Sequence, residues 1–146
     1  SYPTKEEERQ IIRMNLGHEK PKVSQIIDKQ AMVNARKIVR QIFMDETIEQ
    51  YILDIVFATR NPKDSGLPKM ENLIGYGASP RASINLALAA KAHAFLKKRA
   101  YVIPEDVRAV CYDVMRHRIG LTYEAEAENV TSEDIISEIL NKVIVP

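Results

Sequence analysis

A chain of 146 residues is long enough for one ordinary domain, or for one small domain plus a piece of a neighbour. Its 21 basic and 20 acidic residues leave a formal charge of +1, so no global field draws it to nucleic acid or to an anionic membrane. Cys111 is the only cysteine, which excludes an intrachain disulfide and a cysteine-rich zinc site. With 45% hydrophobic and 28% charged residues the composition is globular. Nothing resembles a signal peptide, and no apolar run approaches the roughly 20 residues that span a bilayer. A reducing cytoplasm fits. Ser1-Tyr2-Pro3-Thr4 lacks an initiator methionine and reads as the middle of a longer protein.

The elements read as overwhelmingly helical. Thr4-Lys5-Glu6-Glu7 is a capping box that starts a first helix, ending near Asn15-Leu16-Gly17. Gly17 to Val23, with Pro21 and several charges, reads as an exposed connector and a seam between domains. Asp28 caps a second helix whose Ala35, Ile38, Val39 and Ile42 recur at helical spacing, predicting one buried face. Ile42 to Met44 is a short extended piece. Asp45 caps a third helix with Ile48, Tyr51, Ile52, Ile55 and Val56 inward, and Asn61-Pro62 stops it. Lys63 to Gly77 reads as loop.

Ser79 is a good N-cap and Pro80 suits the first turn of a fourth helix. From Ala82 to Leu96 this helix is apolar nearly all round, which predicts that other helices enclose it. Lys97-Lys98-Arg99 suits its negative end and reads as solvated. Pro104-Glu105-Asp106 opens a fifth helix running to about Arg116, with Ile103 a weak cap. Ile119 to Ala127 alternates like a strand, with Tyr101-Val102 as its expected partner, and the acidic run Glu124 to Glu128 then lies on an exposed face or edge. Thr131-Ser132-Glu133-Asp134 starts a last helix with Ile135, Ile136, Ile139, Leu140 and Val143 as its stripe. The expected fold class is therefore mainly all-α, a helical bundle with a small two-stranded ribbon.

The histidines, His18, His93 and His117, have no metal-ligand spacing. His93 reads as a hydrogen-bonded core residue, His18 as solvated, and Arg116-His117-Arg118 as favourable charge at a helix C-terminus. Cys111 reads as packing. The most informative segment is Gly75-Tyr76-Gly77-Ala78-Ser79-Pro80-Arg81-Ala82. It delivers the chain to a helix start that carries an arginine in its first turn. A cation there is mildly unfavourable, by roughly 0.3–1 kcal/mol, because the helix dipole already puts positive charge at that end. Free N–H groups plus a guanidinium make an anion receptor, so a phosphate would reverse the sign. From residue type and position alone, a surface ion pair with a nearby carboxylate explains Arg81 better than an anion contact does.

Gly77-Ala78-Ser79-Pro80-Arg81-Ala82, the alanine- and leucine-rich helix, and Arg99-Ala100-Tyr101-Val102-Ile103-Pro104-Glu105-Asp106-Val107 together resemble the lid of MoxR-type AAA+ ATPases. Arg116-His117-Arg118-Ile119 fits too, and Tyr2-Pro3-Thr4-Lys5-Glu6-Glu7-Glu8 resembles the end of the ATPase core of that family. The resemblance implies that residues 1–17 end the core and that 18–146 form the helical lid. It implies that Arg81 is the sensor-2 arginine, catalytic through contact with the γ-phosphate of ATP, with Ala78 and Ser79 beside the nucleotide. ATP and magnesium would be held mainly by an upstream core, because this chain has neither a G-x-x-x-x-G-K-[ST] loop nor an acidic Walker B run. By the same resemblance the whole protein remodels partner proteins, in hexameric rings and beside von Willebrand factor A proteins, while this stretch alone does not hydrolyse ATP. The alternatives from other classes are a helical nucleic-acid-binding module, which the near-neutral charge disfavours, and a plain protein-interaction bundle.

Overall fold

The computed structural model describes residues 2–17 and 23–146. Most of the expected connector after Gly17, with His18, lies outside the described residues. The chain divides into two compact units, residues 1–32 and 33–146. In the first unit α1 (Lys5–Leu16) starts at the expected box: Glu7 N–H donates to Thr4 Oγ1, and the Glu7 carboxylate accepts from Thr4 N–H at 2.7 Å. None of its residues is buried.

α2 (Lys29–Gln41) begins where Asp28 accepts from Ala31 N–H at 2.6 Å. The expected buried face of this helix does not form. Of its predicted stripe only Ile42, just past the helix end, is buried, while Ile38 remains 47% exposed. Helical spacing of apolar residues makes a helix amphipathic, but burial also needs a partner surface.

The second unit is built on four helices, α3 (Glu46–Ala58), α4 (Pro80–Leu96), α5 (Pro104–Met115) and α7 (Ser132–Lys142). Asp45 caps α3 through Thr47 N–H, and the predicted inward residues Ile48, Tyr51, Ile52, Ile55 and Val56 are all buried. Thr131 and Asp134 cap α7 reciprocally, and Ile135, Ile136, Ile139 and Leu140 enter the core, with Val143 half-buried beyond the helix end. α4 packs chiefly against α5 and α3, and α7 closes the bundle against both of those. The contact face of α4 is Ala82, Leu86, Ala90 and Ala94, one residue per turn. Small side chains there let the neighbouring backbone approach closely. The rest of α4 is not enclosed as predicted, because Ile84, Leu88 and Leu96 point outward. An apolar circumference is more than α3 and α5 together cover.

The two-stranded ribbon exists, with a different partner. β1 (Ile74–Tyr76) pairs antiparallel with β2 (Gly120–Leu121), so the supposed loop 63–77 contains a strand and a short 3-10 turn at Pro68–Met70. Tyr101 instead forms an isolated parallel bridge with Phe43, in the predicted extended piece. The strand expected over 119–127 stops after two residues. Thr122 accepts from Ala125 N–H and starts α6 (Tyr123–Ala127), so the acidic run is helical. Alternation over five residues fits either element, and a capping threonine followed by glutamates in the first turn decides for helix.

Candidate functional site

α4 receives the chain from β1 through Gly77, Ala78 and Ser79, and this turn is fastened to the end of α3. The buried Thr59 hydroxyl donates to Val56 O at 2.7 Å and accepts from Ala78 N–H at 2.9 Å. Arg60 Nε donates to Ala78 O at 2.6 Å, and its guanidinium lies 4.8 Å from the Phe57 ring centre. Both backbone polar groups of Ala78 are thus satisfied inside the chain. Gly77 is required by proximity, since a Cβ there would stand 2.7 Å from the Thr59 carbonyl carbon and 2.9 Å from Arg60 Cα. A polar pocket of about 200 Å³, lined in part by Arg60, Asn61, Lys63 and Tyr76, adjoins this turn.

The three residues singled out from the sequence sit consecutively but differ in what they offer. Ala78 is buried, and its contribution is to hold the turn. Ser79 is exposed at the N-cap with extended backbone, yet its hydroxyl makes no capping hydrogen bond. Ala82 N–H turns back to Ser79 O at 2.8 Å. Arg81 is exposed, and among the described residues it makes no hydrogen bond or ion pair. The surface carboxylate that would have explained Arg81 cheaply is therefore not there. What remains is a guanidinium at the positive end of a 17-residue helix, facing solvent without a counter-charge. Only an anion from outside this unit turns that arrangement into a favourable one.

Thr59 and Arg60 carry no recognisable sequence signal, because a Thr-Arg pair after a helix is ordinary. The Thr59→Val variant keeps the shape but leaves the buried Ala78 N–H without its acceptor. We expect it to lower unfolding free energy by about 1–3 kcal/mol in a urea titration. It should also broaden amide resonances of residues 77–82, since the fastening of α4's start is lost.

A second polar cluster lies at the other end of α4. Asp106, fully buried, accepts from Arg99 Nη1 at 2.8 Å and from Ile103 N–H at 2.9 Å, and its Oδ1 lies 2.7 Å from His93 Nδ1. Burial pushes this carboxyl up, but the hydrogen bonds from Arg99, Ile103 and His93 outweigh it, and its pKa falls to about 2. His93 is the hydrogen-bonded residue that the sequence suggested. Arg99 is not the solvated helix end expected. Asp106 also reaches back to accept from Ile103 N–H, the half of a capping box that needs no polar side chain at Ile103. Arg108 ties three helices together, donating from α5 to Leu140 O at 2.7 Å and to the Tyr51 hydroxyl at 3.3 Å.

Cys111 is buried, and burial pushes its thiol up to about 12 against the opposing pull of Arg108, so it packs and does not react. Arg116 pairs with Asp113 and Glu133, and Arg118 donates to Val114 O at 3.0 Å, which makes the basic cluster a helix terminus. No group of residues suited to hold a metal ion occurs among the described residues.

Residues 70–139 match the AAA lid domain family. The chain is 38% identical over 145 residues to Chaperone MoxR1 of Mycobacterium tuberculosis, covering 99% of this chain and 38% of that protein. It is 42% identical over 87 residues to Protein MoxR of Paracoccus denitrificans, covering 56% of this chain and 26% of that protein. A solved structure of a "putative ATPase" from Cytophaga hutchinsonii superposes with a TM-score of 0.90 at 41% identity, over 100% of this chain and 44% of that one. The chain thus spans about two fifths of the length of Chaperone MoxR1. A helical bundle with a short ribbon, an arginine in the first turn of its alanine-striped helix, and matches of this kind along its whole length have one common explanation: the chain belongs to the MoxR family of AAA+ proteins, of which it carries the lid.

Proposed function

We propose that this chain is the lid of an ATP-driven remodelling machine and that Arg81 is its sensor-2 residue. The observation that carries the reading is the exposed, unpaired guanidinium at the mouth of α4. The nucleotide and its magnesium ion are held mainly by a nucleotide-binding core upstream in the same polypeptide. Arg81 reaches from the lid to the γ-phosphate, with Ser79 beside it on the exposed helix start, while Ala78 fixes the position of both. As the phosphoryl group transfers, the guanidinium stabilises charge on its oxygens, a purely electrostatic contribution. When the γ-phosphate departs, Arg81 loses its anion and the lid is free to rotate against the core. Lid orientation becomes a two-state element biased by the nucleotide. In the whole protein this motion works on partner proteins, in a hexameric ring and alongside von Willebrand factor A proteins, in the cytoplasm. Among the described residues no helix is long and apolar enough to cross a membrane.

The reading requires that Arg81 distinguish ATP from ADP. Titration of the full-length protein with fluorescent ATP and ADP analogues should show tighter binding of ATP, with most of that preference lost in Arg81→Ala. Equal discrimination by the variant would sink the assignment. The 146-residue chain by itself should release no phosphate from magnesium-ATP in a colorimetric assay. Turnover by the isolated chain would show that the catalytic centre lies elsewhere than proposed.

A further inference from the structure

Away from Arg81, at the opposite end of α4, Ile38, Ile42, Phe95, Leu96 and Ala100 line an open groove of about 570 Å³, with Lys98 and Arg99 at its edge. Leu96 is 75% exposed and Ile38 47%, so apolar surface remains open to water at a cost that a partner would remove. Among the described residues that line it, the charged side chains are both cations, Lys98 and Arg99. No carboxylate lines the groove, and Arg99 is already satisfied by Asp106. Lys98, with Lys97 and Lys37 next to lining residues, is exposed and has no ion pair among the described residues. Another groove, of about 450 Å³ between α3 and α4, is edged by Arg40, Lys91 and Glu49, and this mixture selects no particular occupant.

The backbone at Lys98 adds an independent observation. α4 ends with Lys98 N–H donating to Phe95 O at 2.9 Å and Arg99 N–H donating to Ala94 O at 3.0 Å. That pattern puts the residue after the cap in the left-handed region, and Lys98 has φ 59°. Glycine is the usual occupant, because a Cβ is strained there. A lysine at this position costs stability, and among the described residues no carboxylate pairs with its ammonium to repay the cost.

We propose that this groove docks an acidic amphipathic segment of a partner protein, with apolar side chains seated between Ile38 and Leu96 and carboxylates reaching Lys98 and its neighbouring lysines. A nucleic-acid backbone would use the cations but gain nothing from the apolar floor. A flat lipid surface does not enter a concave groove. The proposal stands independently of the nucleotide reading, because no residue in it contacts Arg81 or the turn before it.

The test uses the 146-residue chain, observed by amide NMR. The probe is a synthetic helical peptide with leucines one turn apart and glutamates elsewhere, beside the same peptide with lysines replacing the glutamates. Phosphatidylserine vesicles and a single-stranded oligonucleotide serve as the other arms. The acidic peptide should shift the amides of Ile38, Phe95, Leu96 and Ala100, and bind at least fivefold more tightly than the basic one. Lys98→Gly should raise the thermal unfolding midpoint, by relieving the strained backbone, yet weaken acidic-peptide binding at least fivefold. Leu96→Glu, on an exposed position, should abolish it. A purely structural lysine would give the first effect without the second. Equal binding of both peptides, no shift at the groove, unchanged binding in Lys98→Gly, or tighter binding of vesicles or oligonucleotide would each overturn the proposal.

Discussion

Replacing Arg81 by alanine in the full-length protein is expected to slow ATP hydrolysis by about 100-fold, with a smaller effect on overall nucleotide affinity. The size follows from where the guanidinium sits. It is exposed and unpaired, so its removal breaks nothing within the lid, and the folding of the chain should be unchanged. It carries a full charge at a helix end that already repels cations, so it adds nothing to the stability of α4, and under the proposed function its counter-charge is the γ-phosphate. A group that meets the transferring phosphoryl oxygens acts most strongly when charge on them is greatest, which places the loss in kcat more than in KM. Arg81→Lys should recover only part of the rate, because an ammonium cannot reproduce the planar fork. Steady-state phosphate release with circular dichroism of each variant checks both halves. A variant that hydrolyses ATP at the parental rate would leave α4 with no role in the chemistry.

Asp106→Ala is expected to destabilise the lid by about 3–5 kcal/mol, a large share of the stability of a domain this size. Asp106 is fully buried and is shared by Arg99, His93 and Ile103 N–H. Removing it leaves Ile103 N–H without its acceptor and the Arg99 guanidinium without its counter-charge, with only Tyr101 O still accepting from Arg99 at 3.0 Å. It also removes the clasp between the two ends of the α4–α5 turn, so loss should be cooperative for the whole bundle. The same residue sets a pH dependence. Its carboxyl titrates near 4 in the unfolded chain and at about 2 when folded, so the folded state favours the ionised form. The resulting stabilisation, on the order of 2 kcal/mol, is complete above about pH 4 and is lost as pH falls towards 2. Urea unfolding between pH 5 and pH 2 should show that slope in the parent. In Asp106→Asn, which keeps an acceptor for Ile103 but no charge, the slope should shrink by this amount. An unaltered profile would mean that other carboxylates dominate acid unfolding.

Helix starts were legible because capping is local. Thr4 with Glu7, Asp28, Asp45, and Thr131 with Asp134 each satisfy backbone donors within three residues, so sequence neighbours alone determine them. Arg81 stands apart from these, because its proposed role rests on resemblance and not on a local rule. Its residue type argued for an ordinary ion pair, and only the order of the surrounding motif pointed to a nucleotide. The inward faces of α3 and α7 followed from helical spacing, because those helices have neighbours on the expected side.

The remainder depended on contacts between residues far apart in the chain. Nothing near Ile74 marks it as the partner of Leu121, and nothing near Thr59 marks its hydroxyl as the acceptor for Ala78 N–H. Spacing could say that α2 and α4 have apolar faces, but not which of those faces other helices would cover. The sequence by itself determined where the six longer helices begin, the mainly helical class, and the presence of a guanidinium in the first turn of α4. Tertiary structure decided that this guanidinium stays unpaired while Arg99 is drawn onto Asp106. The reason is that capping and periodicity are satisfied within a few residues, whereas whether a charge finds a counter-charge depends on which distant helix the fold brings beside it.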